Sequence, residues 1–192
     1  MTGKPLMTER ILLAADRLFY HRGIRAVGVD AVAAEAGISK RSLYDYFPSK
    51  DALVAAYLQR RFLLPPASDA PARDQVLAVF DRLGSSFAED GFRGCPFVNA
   101  VTELGGSCQA ADLAGQYKEQ RRHWFKDMLD RAGAADPDRL ATQISMLVDG
   151  AITAMLVRND STAWVAARDA ADVLMMAAGI VRDTNRTTRS AS

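Results

Sequence analysis

The sequence predicts an all-α fold of about nine helices, with a small N-terminal domain preceding a larger helical one. Apolar residues recur at spacings of three and four, glycines and prolines fall between such runs, and alternating β-branched stretches are absent. The stretch "LLPPASDAPA", residues 63–72, holds three of the seven prolines and marks the boundary between the two parts. Residues 1–50, with a linking helix over 49–63, form the first domain, and residues 64–192 the second.

The first helix follows from "TERILLAADRLFYHRG", which sets Ile11, Leu12, Ala15, Leu18 and Phe19 on one face. Thr8 is its expected N-cap, Met7 and Leu12 its hydrophobic staple, and Gly23 its stop. Asp30 is expected to cap a short second helix, "AVAAEA", which ends at Gly37. Ser39 then caps a third, with Ile38 stapled against Leu43. Pro48 disfavours helical geometry at Phe47 and closes it. Ser49 caps a fourth helix with Leu53, Val54, Tyr57 and Leu58 inward. Five further helices are expected over about 73–91, 97–106, 110–132, 137–158 and 161–183, before a polar, frayed tail "TNRTTRSAS".

Composition excludes several classes. Almost half of the 192 residues are apolar and a quarter charged, as in globular proteins. The apolar windows fall short of the roughly 20 residues that span a bilayer, and the N-terminus lacks a signal-like apolar core, so a cytoplasmic protein without a membrane segment is expected. Cys95 and Cys108 are too few for a disulfide framework, and neither metal nor cofactor is expected. No nucleophile–base pair, metal cluster or phosphate loop suggests an enzyme. Residues 1–63 carry 10 Lys+Arg against 6 Asp+Glu, while the rest carry 14 against 17. A basic bias confined to the small domain suits a polyanionic partner there.

Two short helices joined by a turn of about three residues containing glycine form a helix-turn-helix unit. Its second helix lies within "ISKRSLYDYFPSK", residues 38–50. Wound at about 100° per residue from Leu43, Phe47 and Tyr46 fall on the inward side, whereas Arg41 and Asp45 point directly away. Lys40, Ser42 and Tyr44 take the shoulders. This suits a recognition helix in a DNA major groove: Arg41 at the apex can bond guanine, and the shoulders meet the phosphate walls. Ser39 with the helix N-terminus, and Lys50 beyond the helix, can reach the backbone. Asp45 could accept from cytosine N4 or hold Arg41 one turn earlier.

The run "ILLAADRLFYHRGIRAVGVDAVAAEAGISKRSLYDYFPSKDALVAAYL" strongly resembles the N-terminal DNA-binding domain of the TetR family of bacterial transcriptional regulators. Ala14, Phe19, Gly23, residues 29–33, Ala36-Gly37, Ser39 and "LYDYFPSKDAL" carry the likeness. The resemblance implies an all-helical homodimer, a double-stranded DNA operator, and repression relieved by a small-molecule inducer. It places Lys40, Arg41, Ser42, Tyr44, Asp45, Tyr46 and Lys50 where family members contact DNA. Val29 stands where a Thr or Ser often bonds phosphate, leaving only a backbone contact possible.

"DRLATQISMLVDGAITAMLVR" and "STAWVAARDAADVLMMAAGIVRD" are apolar around much of their circumference, and are expected to pair with their copies across a two-fold axis. That dimer would set two recognition helices about 34–36 Å apart on a near-palindromic operator. Polar atoms among large apolar side chains make Phe97, Asn99, Glu103, Trp124, Met128, Met146 and Asp149 the ligand-pocket candidates. His123 reads as a surface residue and Trp164 as a core or interface anchor. Two other readings are a thiol-responsive regulator using Cys95 and Cys108, and a helical ligand carrier or enzyme.

Overall fold

The first helix starts earlier than its cap signal suggests. In the computed structural model, which describes residues 3–66, 68–88, 91–106 and 109–181 (side chains of 3–5 excepted), α1 spans Gly3–Arg22. Thr8, expected as the N-cap, therefore lies inside the helix; Pro5 falls in the first turn, where no backbone N–H is needed. There follow α2 (Val29–Glu35), α3 (Lys40–Tyr46), α4 (Lys50–Arg60), α5 (Ala72–Phe87), α6 (Pro96–Leu104), α7 (Gln109–Arg131), α8 (Pro137–Arg158) and α9 (Ala163–Ala177). The described residues contain nine helices and no strand. Cys108 and the tail from 182 onward lie outside the described residues.

The chain divides into two units: residues 1–64 with 93–119, and residues 65–92 with 120–192. Besides the boundary read near residue 64, then, a second segment groups with the N-terminal helices. Tyr20 explains part of this: its hydroxyl donates to Gly94 O at 3.1 Å and accepts from Arg93 N at 3.0 Å. Phe62 completes it by meeting Tyr117 and Phe97 edge-on, at 5.3 and 6.0 Å between centroids. In this first unit Ile11, Ala15, Leu18, Val32, Leu43, Leu53 and Leu58 are buried, as the helical periodicity requires.

The second unit packs α5, α8 and α9 with the end of α7 around Phe80, Phe125, Leu129, Ile144 and Met175. Asp136 caps α8 by accepting from Arg139 N at 3.1 Å, with Pro137 in its first turn. Gly84 lets α5 approach α9 closely: a Cβ there would lie 2.5 Å from the Trp164 ring. Arg73 pairs with buried Asp172. α9 stops at Ala177, short of the expected 183. Gly179 takes φ 90°, and Ile180 N returns to Met175 O at 3.0 Å, with buried Ile180 sealing the end. α8 is long and apolar enough to cross a bilayer by length and composition, contrary to the sequence expectation. Its Leu140, Ile144, Val148 and Ala151 are nevertheless buried in the unit's core.

Candidate nucleic-acid interface

The geometry of α3 begins at the end of α2. Ala36 closes α2, Gly37 takes φ 65°, and two returning bonds, Ile38 N to Ala33 O and Gly37 N to Ala34 O, fix the turn at 3.0 Å each. The α2 cap differs from expectation. Gly28, extended at φ −83°, is the N-cap with no side-chain bond, because α2 begins at Val29. Asp30 thus stands in the first turn, and its carboxylate instead takes Lys40 Nζ at 2.9 Å.

Arg10 is the residue that sequence reasoning missed. From α1 its Nε donates to Ala36 O at 2.8 Å, and Nη2 to Ala36 O at 2.5 Å and Gly37 O at 3.2 Å. A guanidinium here satisfies carbonyls left without helical partners and offsets the negative end of α2. The contact spans 26 residues, so no local pattern signals it. Arg17 adds an ion pair to Glu35 at 2.8 Å. At the far end, Arg61 grips Asp16 with two bonds, at 2.5 and 2.8 Å, and lies 4.2 Å from the Tyr20 ring centroid. Burial works against the Arg61 charge, but Asp16 outweighs it and raises the pKa. Burial likewise raises the Tyr57 phenol. α1, α2 and α4 are thus pinned behind α3.

α3 itself follows the periodicity. Ser39 caps it, accepting from Ser42 N at 3.0 Å, and Leu43 and Phe47 are buried. Ser39, Lys40, Arg41, Tyr44 and Asp45 are exposed, while Ser42 and Tyr46 are half-buried. Among the described residues Arg41 and Asp45 make no hydrogen bond or ion pair, so the bond weighed between them does not form here. The Asp30 hydrogen bond and charge raise the pKa of Lys40, which stays a cation. Ser49 caps α4 through Ala52 N at 3.0 Å, which makes Lys50 the first residue of α4. Val29 is buried, so its side chain serves the core.

The seven pocket candidates do not gather. Phe97, Asn99 and Glu103 belong to the first unit and the other four to the second. Phe97 lines a cavity between α6 and α7; Asn99 Nδ2 donates to Arg93 O at 2.8 Å, and Glu103 accepts from Arg25 N at 2.9 Å. Trp124 stacks edge-on to Phe125, Met128 is buried core, Asp149 takes Arg121 at 2.7 Å, and Met146 is 68% exposed. Cys95 is a buried free thiol, and His123 is exposed. No group of three metal-ligating side chains occurs among the described residues.

A family profile described as "Bacterial regulatory proteins, tetR family" matches residues 11–57. A solved TetR-type regulator from Streptomyces avermitilis is 35% identical, with a TM-score of 0.81, covering 91% of this chain and 99% of that one. The activator FasR of Mycolicibacterium smegmatis is 47% identical over 51 residues, 27% of this chain and 23% of FasR. The repressor NemR of Escherichia coli is 30% identical over 105 residues, 50% of this chain and 53% of NemR. The matched segments thus span between about a quarter and about half of these curated relatives.

Proposed function

The chain belongs to the TetR family of bacterial regulatory proteins, and from that premise we propose that it is a DNA-binding repressor, released from a near-palindromic operator by a small-molecule ligand. The observation that carries the DNA reading is the outward ridge of α3. Arg41 and Asp45 stand at the apex without internal partners among the described residues, flanked by Ser39, Lys40, Ser42 and Tyr44. Arg41 reads a guanine edge, while Lys40, Tyr44 and Lys50 bind phosphates. Tyr46 and the α2 backbone at Val29 complete the contact.

Support for a homodimer comes from α8 and α9. Met146, Leu156, Val157, Val165, Val173 and Met176 are all exposed large apolar side chains, a costly surface for a monomer. A second copy covering it generates the two-fold axis that a near-palindrome matches. Repression is the sign proposed because occupying an operator suffices for it, whereas activation needs a further surface for polymerase; the similar FasR and NemR carry opposite signs. The protein would act in the cytoplasm, where its operator lies.

Selection of genomic fragments bound by the purified chain tests this reading. The expected result is one enriched palindrome with half-sites about one helical turn apart. Absence of any enriched sequence overturns it, and sedimentation as a monomer at micromolar concentration removes the dimer.

A further inference from the structure

The two faces of α6 make different contacts. On one, Glu103 Oε2 accepts from Arg25 N at 2.9 Å, directly beneath Gly23, whose added Cβ would lie 3.0 Å from that oxygen. This carboxylate therefore braces the loop that leads into α2. On the other face, Phe97, Val98 and Val101 form one wall of a groove of about 370 Å³, all within the first unit. The opposite wall comes from α7, where Ala111, Ala114 and Gly115 present only methyl groups or hydrogen, and where Lys118 is the one charged lining side chain. A Cβ added at Gly115 would meet nothing within 4 Å, so the space is real.

We infer that this groove binds a small apolar molecule carrying a single negative charge, and that this molecule is the effector of the response proposed above, on which the inference rests. Three observations carry it. The volume lies in the range of small-molecule sites, roughly 300–1,000 Å³. Val98, 46% exposed, gains by being covered with hydrocarbon. Lys118 at the end of an otherwise uncharged lining selects an anionic head and disfavours a cationic one.

The groove is also placed to influence α3. Phe97 stacks on Tyr117 at 4.1 Å between centroids, and Phe62, just beyond α4, meets both rings edge-on. An occupant that parts α6 from α7 acts at once on this aromatic cluster and on the Glu103 brace. The start of α2 and the end of α4 then both feel the displacement. Coupling follows if the two arrangements differ in affinity for the occupant.

The test uses the full chain with two fluorescent probes, anilinonaphthalene sulfonate and its uncharged analogue N-phenyl-1-naphthylamine. Both should bind saturably, one per chain. Gly115→Leu should keep or raise the melting temperature, since its side chain enters open space on a helix, and should abolish both enhancements. Lys118→Met should weaken the sulfonate by up to about fivefold and leave the neutral probe within about twofold. Gly115→Leu binding both probes like the parent, or no saturable enhancement at all, overturns the site. Equal loss of both probes in Lys118→Met overturns the anion preference. Sulfonate binding that leaves affinity for the selected DNA unchanged overturns the effector role. A chain that selects one palindrome and is released from it by other small molecules, yet binds neither probe, keeps the regulator reading and loses only this site.

Discussion

Removing the Arg10 guanidinium tests whether α1 sets the pose of α3. In Arg10→Ala, three donations to Ala36 O and Gly37 O disappear. Hydrogen bonds to a charged group contribute about 1.5–3 kcal/mol where well buried, and a cation at an exposed helix C-terminus about 0.3–1 kcal/mol. Arg10 is an exposed residue and its bonds to Ala36 are only partly buried, so the vacated carbonyls regain water. The net loss should be about 1–2 kcal/mol. For a chain of 192 residues that lowers the melting temperature by about 2–8 °C. Operator affinity should fall as well, because the turn at Gly37 sets the angle of α3. Arg10→Lys should recover less than half, since an ammonium cannot fork across two carbonyls. Urea unfolding and DNA titration on the same preparations measure both effects. A stability loss below about 0.3 kcal/mol, with unchanged operator affinity, would refute the reasoning.

Four further outcomes are expected. Arg41→Ala should cost about 1–3 kcal/mol on the selected operator and relax sequence preference, whereas Lys50→Ala should weaken all DNA alike and reduce the salt slope by about one; equal binding of every sequence by Arg41→Ala and the parent contradicts the apex role. Asp30→Asn should tighten non-specific DNA binding and steepen its salt dependence, because it releases Lys40 and removes a repelling carboxylate, so an unchanged slope counts against Lys40 as a phosphate ligand. Gly84→Ala should destabilise by about 1–2 kcal/mol despite its helix-propensity gain, since the new methyl meets the Trp164 ring; Trp164→Leu in the same chain should restore stability, and calorimetry on the pair decides. Asp138 has a pKa lowered by its hydrogen bond to Arg122, so its contribution is present above the unfolded carboxylate pKa and fades as pH falls through the folded value; Asp138→Asn should flatten acid sensitivity below about pH 4, as followed by thermal melts.

What was legible in the sequence was short-range. Ser39 and Ser49 cap helices that begin one residue later, and a side chain three positions from its backbone partner is visible in a string of letters. The inward set Leu43, Leu53, Leu58 and Ile11 follows from a 3.6-residue period alone. Asp30 shows the limit: as a cap it was plausible, but a residue ten positions away claims its carboxylate. Arg10 read as a solvated position because its acceptors lie 26 and 27 residues on. The pocket candidates failed to gather for the same reason. A cavity is what packed helices leave empty, so small residues such as Ala114 and Gly115 shape it, whereas attention went to conspicuous ones such as Met146, which is exposed.

The isolation of Arg41 and Asp45 has a consequence for descent as well as for binding. Neither side chain holds the domain together among the described residues, while Arg10, Gly37, Leu43 and the Asp16–Arg61 grip do. Letters that read DNA and letters that build the reader are therefore separable. Exchanging the apex pair changes which bases are favoured at little cost in folding, so a duplicated copy of such a gene can acquire a new target while inheriting an intact scaffold.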